Sequence, residues 1–69
     1  MKKKFRIEIA SVPDRENVVA EIWFGEELIA EVNQEEEKLK ITLYNNQKLF
    51  FQFADFLSAL DEAKRKLLF

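Results

Sequence analysis

The apolar residues of this chain alternate in one register from Phe5 to Phe53 and then change to helical spacing. Alternation places every second side chain on the same face of a strand, so the pattern predicts half-buried β-strands. From Phe56 onward, apolar residues recur at spacings of three and four, which is typical of an amphipathic helix. A sheet with one apolar face, followed by one such helix, predicts an α+β domain.

Turn signals divide the alternating part into strands. Five strands are predicted, at about 3–11, 18–24, 28–33, 38–44 and 48–53, with a helix at about 55–68 that begins with Asp55 as its N-cap. The strands form an antiparallel meander in the order 1-2-3-4-5, and the helix covers one face of it. Everything lies in a single domain, residues 1–69.

The predicted loop lengths make every inward pair apolar. A two-residue loop after Phe24 would oppose Phe24 and Glu27 and mix the faces, so a three-residue loop beginning at Gly25 is preferred. Further loops at 34–37 and 45–47 complete the register. The predicted inward pairs are Phe24 with Leu28, Ile22 with Ala30, Ala20 with Val32, Val32 with Leu39, Ala30 with Ile41, Leu28 with Leu43, Leu43 with Leu49, Ile41 with Phe51, and Leu39 with Phe53.

The composition argues against catalysis. Cysteine and histidine are absent, so a nucleophile would have to be a serine, Tyr44 or a lysine, and none has a base at a defined spacing. Gly25 is the only glycine, which excludes a glycine-rich phosphate loop. The acidic run at 35–37 lacks the alternating oxygen ligands of a calcium loop. We therefore expect no enzymatic activity, no cofactor and no metal.

The absence of cysteine also fits a reducing compartment. No apolar run approaches the roughly 18 residues that a membrane span needs. The sequence thus predicts a soluble cytoplasmic protein without a membrane partner.

Charge is divided unevenly along the chain. The net charge is −2, yet residues 14–37 hold nine acidic residues against Arg15 alone, a net of −8. Trp23, Tyr44 and Phe50 on one sheet face would suit base stacking, but the acidic segment repels phosphate, which makes nucleic acid an unfavourable partner. A basic protein would instead be attracted. The alternative is that the acidic residues only keep the protein in solution.

The sheet face that the helix leaves open is the predicted partner-binding surface. Its registers place an apolar row beside a charged row, the composition of an interface with an apolar centre and a polar rim. Glu21 directly opposite Glu31 is a like-charge pair that a basic partner would neutralise. The predicted partner-binding residues are Trp23, Ile29, Phe50, Glu21, Glu31, Thr42 and Lys40.

Three other interpretations remain open at this point. The acidic loops could imitate phosphate, as in a phage or mobile-element inhibitor of a nucleic-acid-handling defence enzyme. The open face or a sheet edge could instead form a homodimer without an outside ligand, or the surface could be passive. The mimicry interpretation needs one contact surface made by Glu26, Glu27, Glu35, Glu36 and Glu37.

Residues 12–23 (VPDRENVVAEIW) and 29–35 (IAEVNQE) resemble a group of small, mostly uncharacterised bacterial proteins. In size, acidity and build, the chain also resembles the compact immunity proteins that neutralise bacterial toxins. The second resemblance implies a small domain that blocks its partner by occlusion, and it assigns no residue roles. The predicted function is therefore a non-enzymatic protein-binding module, most concretely an immunity protein or toxin neutraliser.

Overall fold

A computed structural model describes residues 4–13, 16–44 and 48–68. The elements are β1 (Phe5–Ala10), β2 (Val19–Phe24), β3 (Glu27–Asn33), a short 3₁₀ turn (Glu35–Glu37), β4 (Lys40–Leu43) and α1 (Phe53–Leu68). The predicted loop at 45–47, the start of the first predicted strand at residue 3 and the side chain of Glu36 lie outside the described residues.

The strands pair antiparallel in the order β1-β2-β3-β4, and α1 packs on one face of the sheet. The predicted α+β meander with one C-terminal helix is therefore confirmed, but with four strands and not five. In the described part of the chain, no helix has the length and apolarity needed to cross a membrane.

The fifth predicted strand is wrong. Residues 48–52 have no regular structure and α1 begins at Phe53, two residues earlier than predicted. The carbonyl of Gln52 accepts the first helical hydrogen bond from the N–H of Phe56 at 3.1 Å, so Asp55 lies in the first turn and is not the N-cap. Phe51 does not pair with Ile41, because its ring packs among other aromatic rings.

The ring of Phe51 lies at the centre of an aromatic cluster. Its centroid is 5.0 Å from that of Phe5, 4.7 Å from that of Phe24 and 5.2 Å from that of Phe56. Phe5 also lies 4.9 Å from Phe24, so the cluster joins β1, β2 and α1. Edge-to-face and offset pairs at such distances add about 0.5–1.5 kcal/mol each beyond the area that they bury. This gain explains why residues 48–52 turn toward the helix.

The β2–β3 hairpin corrects the loop prediction. Ala20 pairs with Val32 and Ile22 with Ala30 as predicted, but Phe24 pairs with Glu27, so the loop has two residues. Gly25 has φ 63°, the conformation that a two-residue II′ turn requires at its first position. The register shifts between Ile22 and Trp23, where β3 carries one extra residue as a bulge. The bulge confines the mixed pair, Phe24 with Glu27, to the turn end of the hairpin, and beyond it the inward pairs are apolar as predicted.

The β3–β4 register is displaced from the prediction by two residues. Val32 pairs with Ile41 and Ala30 with Leu43, where Leu39 and Ile41 were expected. Because side chains alternate, an even displacement leaves each residue on its predicted face. The 3₁₀ turn is the cause, since it lengthens the connection to residues 34–39. Glu37 takes φ 63° within it.

The core lies between α1 and the first three strands. Ala59 and Ala63 are buried against the sheet, and their small side chains let the helix approach closely. The predicted inward residues of β4 are exposed instead, because one helix about 10 Å across covers only about half of a four-stranded sheet. The buried core residues of the sheet are Ile7, Ala20, Ile22, Ile29, Ala30 and Val32, and the exposed residues that were predicted to face the helix are Ile9, Leu39, Ile41, Leu43 and Phe53.

The two positive-φ positions give opposite predictions for stability. Gly25→Ala places a Cβ in the left-handed region and is expected to lower the free energy of unfolding by about 1 kcal/mol. Glu37→Gly removes that strain and is expected to raise it by about 0.5 kcal/mol, since glycine also loses more entropy on folding. Urea denaturation followed by circular dichroism measures both changes. A lower midpoint for Glu37→Gly would contradict the assignment.

Candidate functional site

The outer face of the sheet, opposite α1, carries Trp23, but this residue is half-buried by its own chain. Its indole Nε1 donates a 3.2 Å hydrogen bond to Oε1 of Glu21. The guanidinium of Arg6 lies over the ring at 5.0 Å from its centroid and also pairs with Glu8. A cation–π contact of this kind is worth about 0.5–1 kcal/mol at a partly exposed site. Trp23 is therefore held in place rather than projecting as an anchor.

The carboxylate of Glu31 is buried on the same outer face. Glu31 is only 3% exposed, and its Oε2 accepts a 3.0 Å hydrogen bond from Nδ2 of Asn33. Its Oε1 accepts a hydrogen bond from the hydroxyl of Tyr44. The Asn33 Oδ1 accepts from the backbone N–H of Glu35 at 3.3 Å, which ties the 3₁₀ turn to β3. A buried carboxylate with such hydrogen-bond partners contributes to the stability of the fold.

The predicted row across the outer face is not assembled. Trp23 stands opposite Leu28, and Ile29, expected beside it, is 5% exposed within the core. The bulge is the physical reason, because one extra residue in β3 changes the face of the sheet on which the Ile29 side chain lies. Phe50 is not part of a fifth strand and stands elsewhere, beside α1.

The charged row is only partly as predicted. Glu21 does lie opposite Glu31, as expected. Thr42, and not Lys40, is the residue of β4 opposite Glu31, and Lys40 lies opposite Asn33. Glu31 is buried, and both of its carboxylate oxygens accept hydrogen bonds from its own chain.

The acidic loops do not form one surface. Glu26 and Glu27 lie at the start of β3, whereas the 3₁₀ turn follows its end. The seven residues of β3 rise about 3.3 Å each, so the two loops stand about 20 Å apart. The carboxylate of Glu35 accepts the backbone N–H of Glu16 at 3.3 Å, so it serves the β1–β2 connection. The five glutamates named for phosphate mimicry are thus divided between opposite ends of the sheet.

An open groove lies between α1, the start of β1 and residues 50–52. Its volume is about 720 Å³, within the range of small-ligand and side-chain binding sites. We call it the aromatic groove. Its apolar lining is Phe5, Phe24, Phe50, Phe51 and Ala59, and its polar rim is Lys4, Gln52, Asp55, Ser58 and Glu62.

The aromatic groove combines a rigid floor with a charged rim. Phe5, Phe24 and Phe51 are fixed by mutual ring contacts, whereas Phe50 is 84% exposed. The rim carries the carboxylates of Asp55 and Glu62 and the ammonium group of Lys4, and the Glu62 carboxylate also pairs with Lys66 at 3.0 Å. Such a site suits an apolar or aromatic group that carries a cation next to it. Among the described residues, no three acidic side chains converge as metal ligands.

Sequence reasoning missed this groove, although one signal was present. Asp55, Ser58 and Glu62 follow each other at spacings of three and four, which places them on one flank of α1. What the sequence did not show is that β1 and residues 50–52 meet that flank. Comparisons of the chain with protein-family models, curated proteins and solved structures found no match.

Proposed function

We propose that this protein is a non-enzymatic binding module that blocks a basic protein partner by occlusion, with the aromatic groove as the contact site. The observation that carries the proposal is the position of Phe50. This large apolar side chain is 84% exposed at the mouth of a 720 Å³ groove with an aromatic floor. Exposed aromatic residues beside a preformed pocket are typical of interface anchors.

The charges around the groove support a basic partner. Asp55 and Glu62 stand on the rim together with Lys4, Glu62 also forms a 3.0 Å ion pair with Lys66, and the whole chain has a net charge of −2. Opposite charges speed the encounter and fix the orientation of the bound partner. The occupant that fits is an aromatic or aliphatic side chain followed by lysine or arginine.

Occlusion needs affinity and shape but no chemistry at the site. A toxin neutraliser is the most concrete form of such a module, since covering a basic surface of the toxin is enough to block it. Acidic phosphate mimicry is less well supported, because the loops that it needs lie at opposite ends of β3.

The test uses a matched pair of phenylalanines. Peptides with one aromatic residue followed by two lysines are titrated against the wild type, Phe50→Ala and Phe53→Ala, with the binding followed by NMR shifts of Ser58 and Glu62. Phe53 is also exposed, at 78%, but does not line the groove. We expect Phe50→Ala to weaken binding at least about tenfold, the loss of about 1.4 kcal/mol, while Phe53→Ala binds like the wild type.

Two outcomes would argue against the proposal. Equal losses for the two variants would show that the contact is not centred on the groove. Equal binding of peptides in which glutamate replaces both lysines would show that the rim does not select for a basic partner. Glu62→Lys provides the charge test from the protein side, and it should lower affinity for the lysine peptides specifically.

A further inference from the structure

We infer that the free edge of β1 is a self-association site, at which β1 of a second copy of this chain pairs antiparallel with it. The inference concerns a strand edge and does not rest on the aromatic groove. In the described part of the chain, β1 is the first strand of the sheet, pairs only with β2 and bonds to no backbone group beyond that hairpin. Its six residues include no proline and no bulge, two devices that keep sheet edges from pairing.

The hydrogen bonds between β1 and β2 show which backbone groups of β1 point outward. The carbonyl of Lys4 accepts the N–H of Gly25 at 3.1 Å. In an antiparallel ladder only every second pair of residues exchanges hydrogen bonds, so the even-numbered residues of β1 direct theirs to β2. The N–H and C=O groups of Phe5, Ile7 and Ile9 therefore point away from the sheet. An added strand would bond to these groups.

The side chains of β1 select one register for that pairing. Outward groups must meet outward groups, so a two-fold axis at Ile7 sets Ile7 opposite its own counterpart and Phe5 opposite Ile9 of the second copy. The pair between these sets Arg6 opposite Glu8. An axis one residue earlier would oppose the two Arg6 side chains, and an axis one residue later would oppose the two Glu8 side chains. Only the register centred on Ile7 joins opposite charges.

Charge complementarity extends along the outer side of the edge. In this register Lys4 and Arg6 of one copy face Ala10 and Glu8 of the other, and Lys4 also lies diagonal to Glu8. The Arg6 and Glu8 side chains are 52% and 49% exposed. Within the chain, Nε of Arg6 donates to Oε2 of Glu8, which uses one of five guanidinium N–H groups and one of two carboxylate oxygens. The second copy would bond to those that remain.

The helix-facing side of the edge is complementary as well. Ile9 is 43% exposed, although it shares a face with the buried Ile7. The register places Phe5 of the second copy opposite Ile9, so two apolar side chains cover each other. Because the two-fold axis is perpendicular to the sheet, the polar and apolar faces stay continuous across it. Two four-stranded sheets then form one sheet with both helices on the same side.

The first test exchanges charges across the axis. Sedimentation equilibrium from about 1 µM to 1 mM should show the wild type approaching twice the monomer mass. Arg6→Glu and Glu8→Arg each set like charges opposite one another, so each should raise the dimer Kd at least about tenfold. A mixture of these two variants again opposes unlike charges and should form a heterodimer with nearly the wild-type Kd. Lys40→Glu makes the same charge change as Arg6→Glu but on β4, at the far edge of the sheet, and should dimerise like the wild type.

The second test needs only the wild type. Hydrogen exchange at Phe5, Ile7 and Ile9 should be at least about ten times slower at about 1 mM than at about 10 µM, because dimerisation covers their outward N–H groups. The N–H groups of Arg6 and Glu8 already bond to β2 and provide the internal control. Their exchange should slow less.

Three results would overturn the inference. A wild type that stays monomeric up to about 1 mM has no such contact. Failure of the two charge variants to associate when mixed, with circular dichroism showing both folded, would exclude this register. If either variant is unfolded, hydrogen exchange decides, and equal rates for the outward N–H groups at both concentrations would rule out pairing through β1.

Discussion

Replacing Phe51 with alanine is expected to lower the free energy of unfolding by about 3 kcal/mol, the low end for loss of a packed phenylalanine because this one is only partly buried. Three of its ring neighbours, Phe5, Phe24 and Phe56, lose contacts at once. A domain of this size has a free energy of unfolding of only a few kcal/mol, so the variant should be largely unfolded. Thermal and urea denaturation measure the change.

The neighbouring residue provides the control for this prediction. Phe50 has the same side chain but is 84% exposed, so Phe50→Ala should change the unfolding free energy by less than about 0.5 kcal/mol. Phe51→Ala should therefore lower stability, whereas Phe50→Ala, at the next position, should lower binding and leave stability nearly unchanged. A common shift in their denaturation midpoints would mean that the aromatic cluster does not hold residues 48–52 against the helix.

The second large effect is expected at Glu31. Glu31→Ala removes the acceptor for Asn33 and for the Tyr44 hydroxyl at a buried position, and each weakened bond costs about 1–3 kcal/mol. We expect the unfolding free energy to fall by about 3 kcal/mol in total. The loss should also loosen the 3₁₀ turn, because Asn33 holds the N–H of Glu35. Hydrogen exchange at Glu35 reports that local change.

Glu31→Gln is the matched variant, since it keeps the shape and one acceptor oxygen. It should lose clearly less stability than Glu31→Ala. A double-mutant cycle with Tyr44→Phe gives the coupling between the two side chains, expected at about 1 kcal/mol or more. A cycle with no coupling, or a Glu31→Ala variant as stable as the wild type, would refute the structural role of this carboxylate.

Alternation in the sequence was enough to predict the antiparallel meander and the face of most strand residues. The predicted faces remained correct despite an error of two residues in the β3–β4 register, since Ile41 and Leu43 kept their face when their partners changed. The single extra residue in β3 did make a predicted face wrong. Ile29 was expected on the surface and lies in the core, because a bulge leaves no mark on the composition of a strand.

The fifth strand failed for a different reason. Residues 48–52 alternate like a strand, yet Phe51 gains more from the rings of Phe5 and Phe56 than from pairing beside β4. Such competition between a ladder and a distant aromatic cluster depends on the assembled fold. The aromatic groove could not be predicted from the sequence for the same reason, since its walls come from segments far apart in the chain.

The contact between Phe5 and Phe51 also bears on the order in which the parts of the fold form during synthesis. Each strand of the meander pairs with the one just before it, so the hairpins form as soon as they leave the ribosome. The contact of Phe5 with Phe51 spans 46 positions, and closing a loop of that length costs about 3 kcal/mol of chain entropy. The helix-facing side of β1 is therefore among the first surfaces made and the last to be covered. A nascent chain carries this apolar strand uncovered until Phe51 and α1 have emerged.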